Sequence, residues 1–370
     1  MKKNTVLFIL MLCMALVVLF SGIKGYGEES GQQEIAYSVQ KISPEGEVDP
    51  ASSFYDLAVQ PGDKREIEAR IINTSSETIT VKSELFTAYT NENGEISYTS
   101  QAEEYDRSLQ YKFNEIADIQ ASDIKVEIPA NEERTVKTII EVPETIEDGA
   151  ILGSWYFEKE GQVQEQEDGS GIQINNKYSY ALAVKLTVNQ EIPAPNLNLT
   201  GITKGLSNYK KAYFAQLQND QPAIVSELTF AAQVFKKGSY EVLYENTGEG
   251  LIMAPNSQFA FPVFLGQETM KAGDYTMKLK AMTEDAKWDT QVWEWTEDFT
   301  VTADEARKHN KEAINDPEAG NNYLWLFIAA IAVFFILSLL LGYVLIKRRR
   351  LKQQQEQTKK KAKRRKKSTS

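Results

Sequence analysis

Across residues 28–302 apolar side chains recur mostly at every second position, the spacing of a strand with one buried face. The three-to-four-residue spacing of an amphipathic helix is almost absent. Ile67, Ala69 and Ile71 alternate with polar neighbours, and Ile79, Val81 and Leu85 do so after the turn Asn73-Thr74-Ser75-Ser76. Val136, Thr138, Ile140 and Val142 predict a strand stopped by Pro143, and Tyr178, Tyr180, Leu182, Val184, Leu186 and Val188 predict a longer one. Further strands are expected at 212–217, 226–235, 259–263, 275–281 and 293–301. Turn residues separate them at Pro61-Gly62-Asp63, Asn91-Glu92-Asn93-Gly94, Asn219-Asp220-Gln221-Pro222 and Lys271-Ala272-Gly273-Asp274. Short alternating strands with regular turns predict an all-β exterior of two tandem immunoglobulin-like β-sandwich domains.

Pro193 and Pro195 cannot donate to a strand ladder, so the boundary is placed there, giving a first domain at 28–191 and a second at 192–302. The polar, acidic stretch 158–171 is expected to be a mobile loop. Residues 303–322 are charged and are expected to form a short helical stalk ending at Pro317 or Gly320.

Two uninterrupted apolar runs break this pattern. Lys2-Lys3, the run 6–20 and the small residues to Gly27 follow the order of a secretory signal peptide, with cleavage expected near Gly27. Fifteen residues of helix reach only ~22 Å, short of a bilayer core. Residues 324–346 reach ~34 Å as a helix, enough to span. Tyr323 and Trp325 stand at one end and Lys347-Arg348-Arg349-Arg350 at the other. The positive-inside rule then predicts a C-terminal transmembrane helix at 323–346, a cytoplasmic tail at 347–370 and an outward-facing exterior.

Charge sharpens this picture. Residues 28–346 hold 25 Lys and Arg against 51 Asp and Glu, a net of −26, whereas the last 24 residues hold 13 basic residues and one acid. Nucleic acid is therefore not an expected partner, since phosphate contacts need cations on the binding face. The basic tail is expected to lie on anionic lipid headgroups. The single cysteine, Cys13, falls in the signal run, so the mature exterior would carry no disulfide, thiolate metal site or Cys nucleophile.

Catalytic chemistry finds little to build on. The one histidine, His309, lies in the expected stalk, which disfavours a Ser-His-Asp arrangement or a His-based metal site. No phosphate-binding glycine loop is present. Residues 89–100 resemble a calcium loop only in their middle. Tyr89 holds the first ligand position and Ser100 the last, so a hairpin turn is expected instead. No enzyme activity and no cofactor are expected. Trp293 and Trp295 alternate with Phe299 and Val301 and are expected in a core rather than on a sugar platform. The run Trp155-Tyr156-Phe157 lacks strict alternation, so at least one of its rings should face away from the core, which makes the run the candidate for an exposed partner contact.

Several stretches in order resemble the WxL-interacting proteins of Gram-positive bacteria. In the first half these are Phe54-Tyr55-Asp56-Leu57-Ala58-Val59-Gln60-Pro61-Gly62, Ile72-Asn73-Thr74-Ser75, Ala88-Tyr89-Thr90-Asn91-Glu92-Asn93-Gly94 and Gly149-Ala150-Ile151-Leu152-Gly153. The second half adds Leu217-Gln218-Asn219, Met253-Ala254-Pro255-Asn256-Ser257-Gln258-Phe259 and Ala272-Gly273-Asp274-Tyr275-Thr276. The resemblance implies a non-catalytic, membrane-anchored surface scaffold. Its first domain would bind peptidoglycan, its second a host ligand, and its partners would include WxL-domain proteins. An adhesin for host extracellular matrix proteins is the alternative. The chain is not itself a WxL protein, since no tryptophan has Leu two residues later.

Overall fold

The computed structural model describes residues 37–161, 178–189 and 192–314, with Ile331, Phe334, 342–344 and 346–348. The expected signal peptide, most of the 158–171 loop and the tail beyond Arg348 lie outside the described residues. So does most of the expected membrane span, whose described residues are helical. Among the described residues no helix is long and apolar enough to cross a membrane.

The chain is all-β, in two units that each close two sheets over one core. The first unit contains β1 (Tyr37–Ile42), β2 (Tyr55–Val59), β3 (Lys64–Asn73), β4 (Ile79–Thr87), β5 (Tyr89–Thr90) and β6 (Ile96–Ser97). A single helical turn, α1 (Phe113–Ile116), leads into β7 (Ala117–Ile119), β8 (Lys125–Ile128), β9 (Glu133–Glu141), β10 (Gly149–Lys159) and β11 (Ser179–Val188). One sheet has the order β1-β3-β9-β7 and the other β2-β11-β10-β4-β8. Ile67, Ile71, Val136 and Ile140 face Trp155, Phe157, Val184 and Leu186 across the core.

The N-terminal edge changes sheets. β1 pairs antiparallel with β3, and β2 pairs parallel with β11 in the opposite sheet. A buried ion pair holds the crossing. Lys41 Nζ lies 2.8 Å from Glu47 Oε1 and donates to the Phe54 carbonyl at 3.0 Å. The same Glu47 oxygen accepts from the Asp56 amide at 3.1 Å. The Glu47 side chain is fully buried and that of Lys41 is 8 % exposed, so the pair is desolvated and depends on these extra hydrogen bonds.

The second unit contains β12 (Leu197–Ser207), β13 (Lys210–Asn219), β14 (Val225–Lys236), β15 (Val242–Met253), β16 (Ser257–Phe264), β17 (Gly273–Thr283) and β18 (Gln291–Val301). The sheet β12-β13-β16 covers the sheet β15-β14-β17-β18. Tyr213, Phe230, Phe259, Phe261, Tyr275 and Phe299 fill the space between them, with Tyr213 and Phe299 edge to face at 5.0 Å.

Helix α2 (Ala303–Glu312) occupies the first part of the stretch expected as a helical stalk. A capping box starts it: Glu305 N donates to Thr302 Oγ1, and Thr302 N donates to Glu305 Oε2. The helix then docks on the second core. Ala306 is buried, Glu305 meets Lys204 of β12 at 3.3 Å, and the Asn310 side chain bonds both the amide and the carbonyl of Met270.

Truncation of Glu47 to Ala should destabilise the chain by about 3–5 kcal/mol, since Lys41 would remain buried without its partner. The double change Lys41→Met, Glu47→Leu should recover most of that loss. Urea unfolding of the two variants beside the parent chain checks both expectations.

Candidate functional site

The two units meet through the hairpin β5–β6. Its turn is shaped by Asn91, whose Oδ1 accepts from the Asn93 and Glu95 amides at 2.9 and 3.1 Å. Gly94 closes the turn at φ +73°, and a Cβ there would lie 3.0 Å from Leu251 and 3.1 Å from Phe259. The hairpin can press flat against the second unit because this residue has no side chain. Ile252 N donates to the Gly94 carbonyl at 2.8 Å. Thr90 Oγ1 and Ser257 Oγ sit 2.7 Å apart, both residues buried, and Thr90 Oγ1 also accepts from Ala254 N at 3.0 Å.

A second seam joins β10 to the turn after β13. Ala150 N donates to the Pro222 carbonyl at 2.7 Å, and Gly149, at φ +141°, lies so close that a Cβ would fall 2.4 Å from the Pro222 ring. On the second unit the seam is framed by Asn219, which is fully buried. Its Nδ2 donates to the Ala223 and Ala254 carbonyls at 2.7 and 2.9 Å, tying the 220–224 and 254–256 loops together. Asn73 is used in the same way in the first unit, donating to the Ile128 and Pro129 carbonyls. Beside Asn219, the Asp220 carboxylate accepts from Asn198, Gln221 and Asn196 amides at 2.7, 2.8 and 3.2 Å. Burial works to raise its pKa, and these donors outweigh it, holding the group below the usual carboxylate range.

Beside the hairpin seam opens a cleft of about 950 Å³ that runs along the second unit as far as Asn208. Tyr89, Glu92, Glu103, Glu104, Tyr105 and Asp106 line it from the first unit, and Thr203, Gln216, Gln258 and Phe259 from the second. Gln218 Nε2 crosses to Asp106 Oδ1 at 2.9 Å and Gln258 Nε2 to the Glu104 carbonyl at 3.3 Å. Among the described residues, four carboxylates, several side-chain amides and two tyrosines line the cleft, and no Lys or Arg does. Such a lining disfavours anions and offers acceptors, amides and ring faces to a neutral polyhydroxyl or amide-bearing ligand. A smaller cavity of about 270 Å³, lined by Tyr111, Asp148, Gly149 and Pro222, lies on the other seam. Among the described residues no cluster of His, Cys, Asp and Glu is arranged to hold a metal ion.

The run Trp155-Tyr156-Phe157 lies outside the cleft lining; one ring, Tyr156, turns away from the core as expected, and the other two are removed as exposed contacts. Trp155 and Phe157 are fully buried in the first core. Tyr156 faces the other way, is half-buried, and packs on Phe86 at 5.3 Å. The run hides its alternation because β10 is covered on both faces: Ser154, opposite the core, donates to the Tyr98 carbonyl. Trp293 and Trp295 pack against the second core and keep part of their rings in solvent, since β18 is a sheet edge. The cleft residues carry no periodic signal. The stretches 88–94, 149–153, 217–219 and 253–259, picked out by family resemblance, all lie at the junction.

Gly149→Val should drive a side chain into Pro222 and loosen the junction, giving a larger radius of gyration by small-angle scattering and two unfolding transitions in place of one. Asp220 supplies a pH test. A depressed folded pKa gives stability that is present above the unfolded value of about 3.9 and lost as pH falls through the folded value. The urea midpoint should fall below pH 4, and Asp220→Asn should reduce that dependence.

Comparison with known proteins also gives two domains. Residues 37–159 match the peptidoglycan binding domain of the WxL Interacting Protein family, and residues 169–311 match its host binding domain. The second match begins ahead of β11, which pairs within the first unit's five-stranded sheet. No curated protein matches the chain. Among solved structures it is similar to the YadV chaperone at 10% identity and a TM-score of 0.27, over 72% of this chain and all of that one. It is also similar to the E. coli chaperone DraB at 10% identity and a TM-score of 0.25, over 72% of this chain and 96% of that one. Two domain matches in order, spanning most of the described residues, place the chain in the WxL-interacting protein family.

Proposed function

We propose that this chain is a non-catalytic, membrane-anchored scaffold at the Gram-positive cell surface, holding peptidoglycan and WxL-domain proteins. The observation that carries the reading is the order of its parts. A peptidoglycan-binding domain precedes a host-binding domain, and both precede the apolar segment 324–346 and its basic flank. Each domain is read as immunoglobulin-like, a reading supported by the strand orders. In the second unit, β12, β13 and β16 cover β14, β15, β17 and β18 with the crossings of a Greek key. The exterior faces the wall, and the tail faces the cytoplasm and anionic lipid.

The junction cleft is the proposed glycan site. Peptidoglycan sugars are rich in hydroxyl and acetamido groups, which suit a lining of amides, carboxylates and tyrosine faces. WxL-domain partners would add to the exposed edges of the second unit. The host-binding match favours a second reading, an adhesin for host extracellular matrix proteins.

The test is a pull-down of residues 28–322 against purified peptidoglycan and a WxL domain in parallel. Retention on both is expected, with no release of soluble muropeptides. Tyr89→Ala with Tyr105→Ala should lower peptidoglycan retention roughly tenfold, and Tyr156→Ala should leave it unchanged. Binding to neither ligand, with matrix protein captured by 193–302, would replace the scaffold with the adhesin.

A further inference from the structure

The second unit has two unlike ends. The turns at 220–224, 254–256 and 284–290 face the first unit. The hairpin tip at 208–209, the β14–β15 loop, the β16–β17 loop and helix α2 form the opposite end. Strand registers fix this arrangement: Ala212 pairs with Phe264, Lys236 with Tyr275 and Gly273 with Val301. Leu265 N bonds the Lys211 carbonyl, and Tyr244 Oη reaches Glu268, so the two sheets end together there.

Large exposed apolar side chains of the two units are concentrated at this far end. Tyr209, Tyr240, Val242, Leu243, Phe264 and Ile314 are all there, with Tyr240 at 95 % and Ile314 at 73 % exposure. Only Val48, Ile124 and Val292 are exposed elsewhere in the two units' described residues. Tyr209 is also held at φ +61°, after Asn208 at φ +48°. That is the left-handed pair of a tight hairpin, where glycine is the ordinary second residue and a bulky ring carries strain. The charge balance changes here too. Segments 208–211, 236–243, 264–274 and 298–314 hold eight Lys and Arg, of which Lys211 is buried, against seven Asp and Glu. Acids outnumber bases by two to one over residues 28–346 as a whole.

We propose that this end of the second domain seats on the anionic headgroup surface of the bilayer entered by residues 324–346. The proposal rests on that segment's being a membrane span. Nine residues separate Ile314 from Leu324, so the end lies within ~35 Å of the apolar segment even with the chain fully extended. Tyrosine rings and lysines are the side chains that settle at headgroup depth. Tethering raises the local concentration of surface, so weak contacts suffice. An exterior of net charge −26 is repelled by anionic lipid as a whole, and this near-neutral end is repelled less. The domain would therefore stand upright, with the junction cleft running along β12 and β13 toward the seated tip, where Asn208 lines its end.

The test uses the full chain carrying Cys13→Ser, in nanodiscs of phosphatidylcholine and phosphatidylglycerol doped with a nitroxide-headgroup lipid. A fluorophore is placed at Ser239→Cys, or at Gln120→Cys in the first domain as reference. Quenching at 239 should exceed that at 120 by about threefold, and should fall to the reference level when Tyr209, Tyr240 and Leu243 are changed to Ser. Equal quenching at both positions in a chain that floats with lipid overturns the seat and leaves the span intact. Failure to float overturns both. Self-quenching between 239 labels without lipid quenching would assign the patch to a second copy and also overturn the seat.

Discussion

A single backbone hydrogen bond, from Ile252 N to the Gly94 carbonyl, marks the constraint on which the functional geometry depends. The hairpin that carries Gly94 belongs by sequence to the first sandwich, and its bonding partners lie in the second. It sacrifices pairing within its own unit, since β5 and β6 are two residues each and join neither large sheet. In return the Thr90 hydroxyl finds Ser257 and Ala254 in a buried site. Unpartnered, those polar atoms would cost ~1–3 kcal/mol each on burial. The units cannot part without exposing them, and that keeps the cleft walls at fixed separation.

Polar groups inside this protein serve loops more than cores. Asn73 and Asn219 stand at the ends of β3 and β13, each binding carbonyls from two later segments. Lys41 and Glu47 play the same part at the sheet crossing. In each case a polar side chain replaces a strand ladder where the backbone must turn and water cannot reach. The apolar residues set the two cores, and these few polar ones set how the cores are connected.

The strands with one dry face could be read directly from the chain. Ile67, Ala69 and Ile71 in β3, and Tyr275, Met277, Leu279 and Ala281 in β17, alternate because their other face meets water. β10 could not, because its outer face is covered as well. β12 and β15 were missed for another reason. They are edge strands rich in Gly, Thr and Asn, with the register of β12 shifting between Leu199 and Gly201 and that of β15 slipping three times against β14, so their apolar positions drift from face to face. The cleft was invisible to periodicity, since Thr90 and Ser257 are 167 positions apart. Its members are turn residues chosen for backbone geometry and hydrogen bonding, which leave no repeating trace.

The placement of α2 has a mechanical consequence. The junction with the first domain and the exit of the chain lie at opposite ends of the second sandwich, so in the proposed anchored arrangement tension between wall and membrane would run along its strands. Among the described residues α2 is the last docked element, and it is held by one buried alanine, one asparagine and one lysine contact. Under load it would peel first, and ten residues passing from helix to extended chain would release ~20 Å of slack. Only then would force reach β18, whose eleven paired residues against β17 would be strained together in shear instead of opening one after another. The helix acts as a yielding link in series with a stiff one.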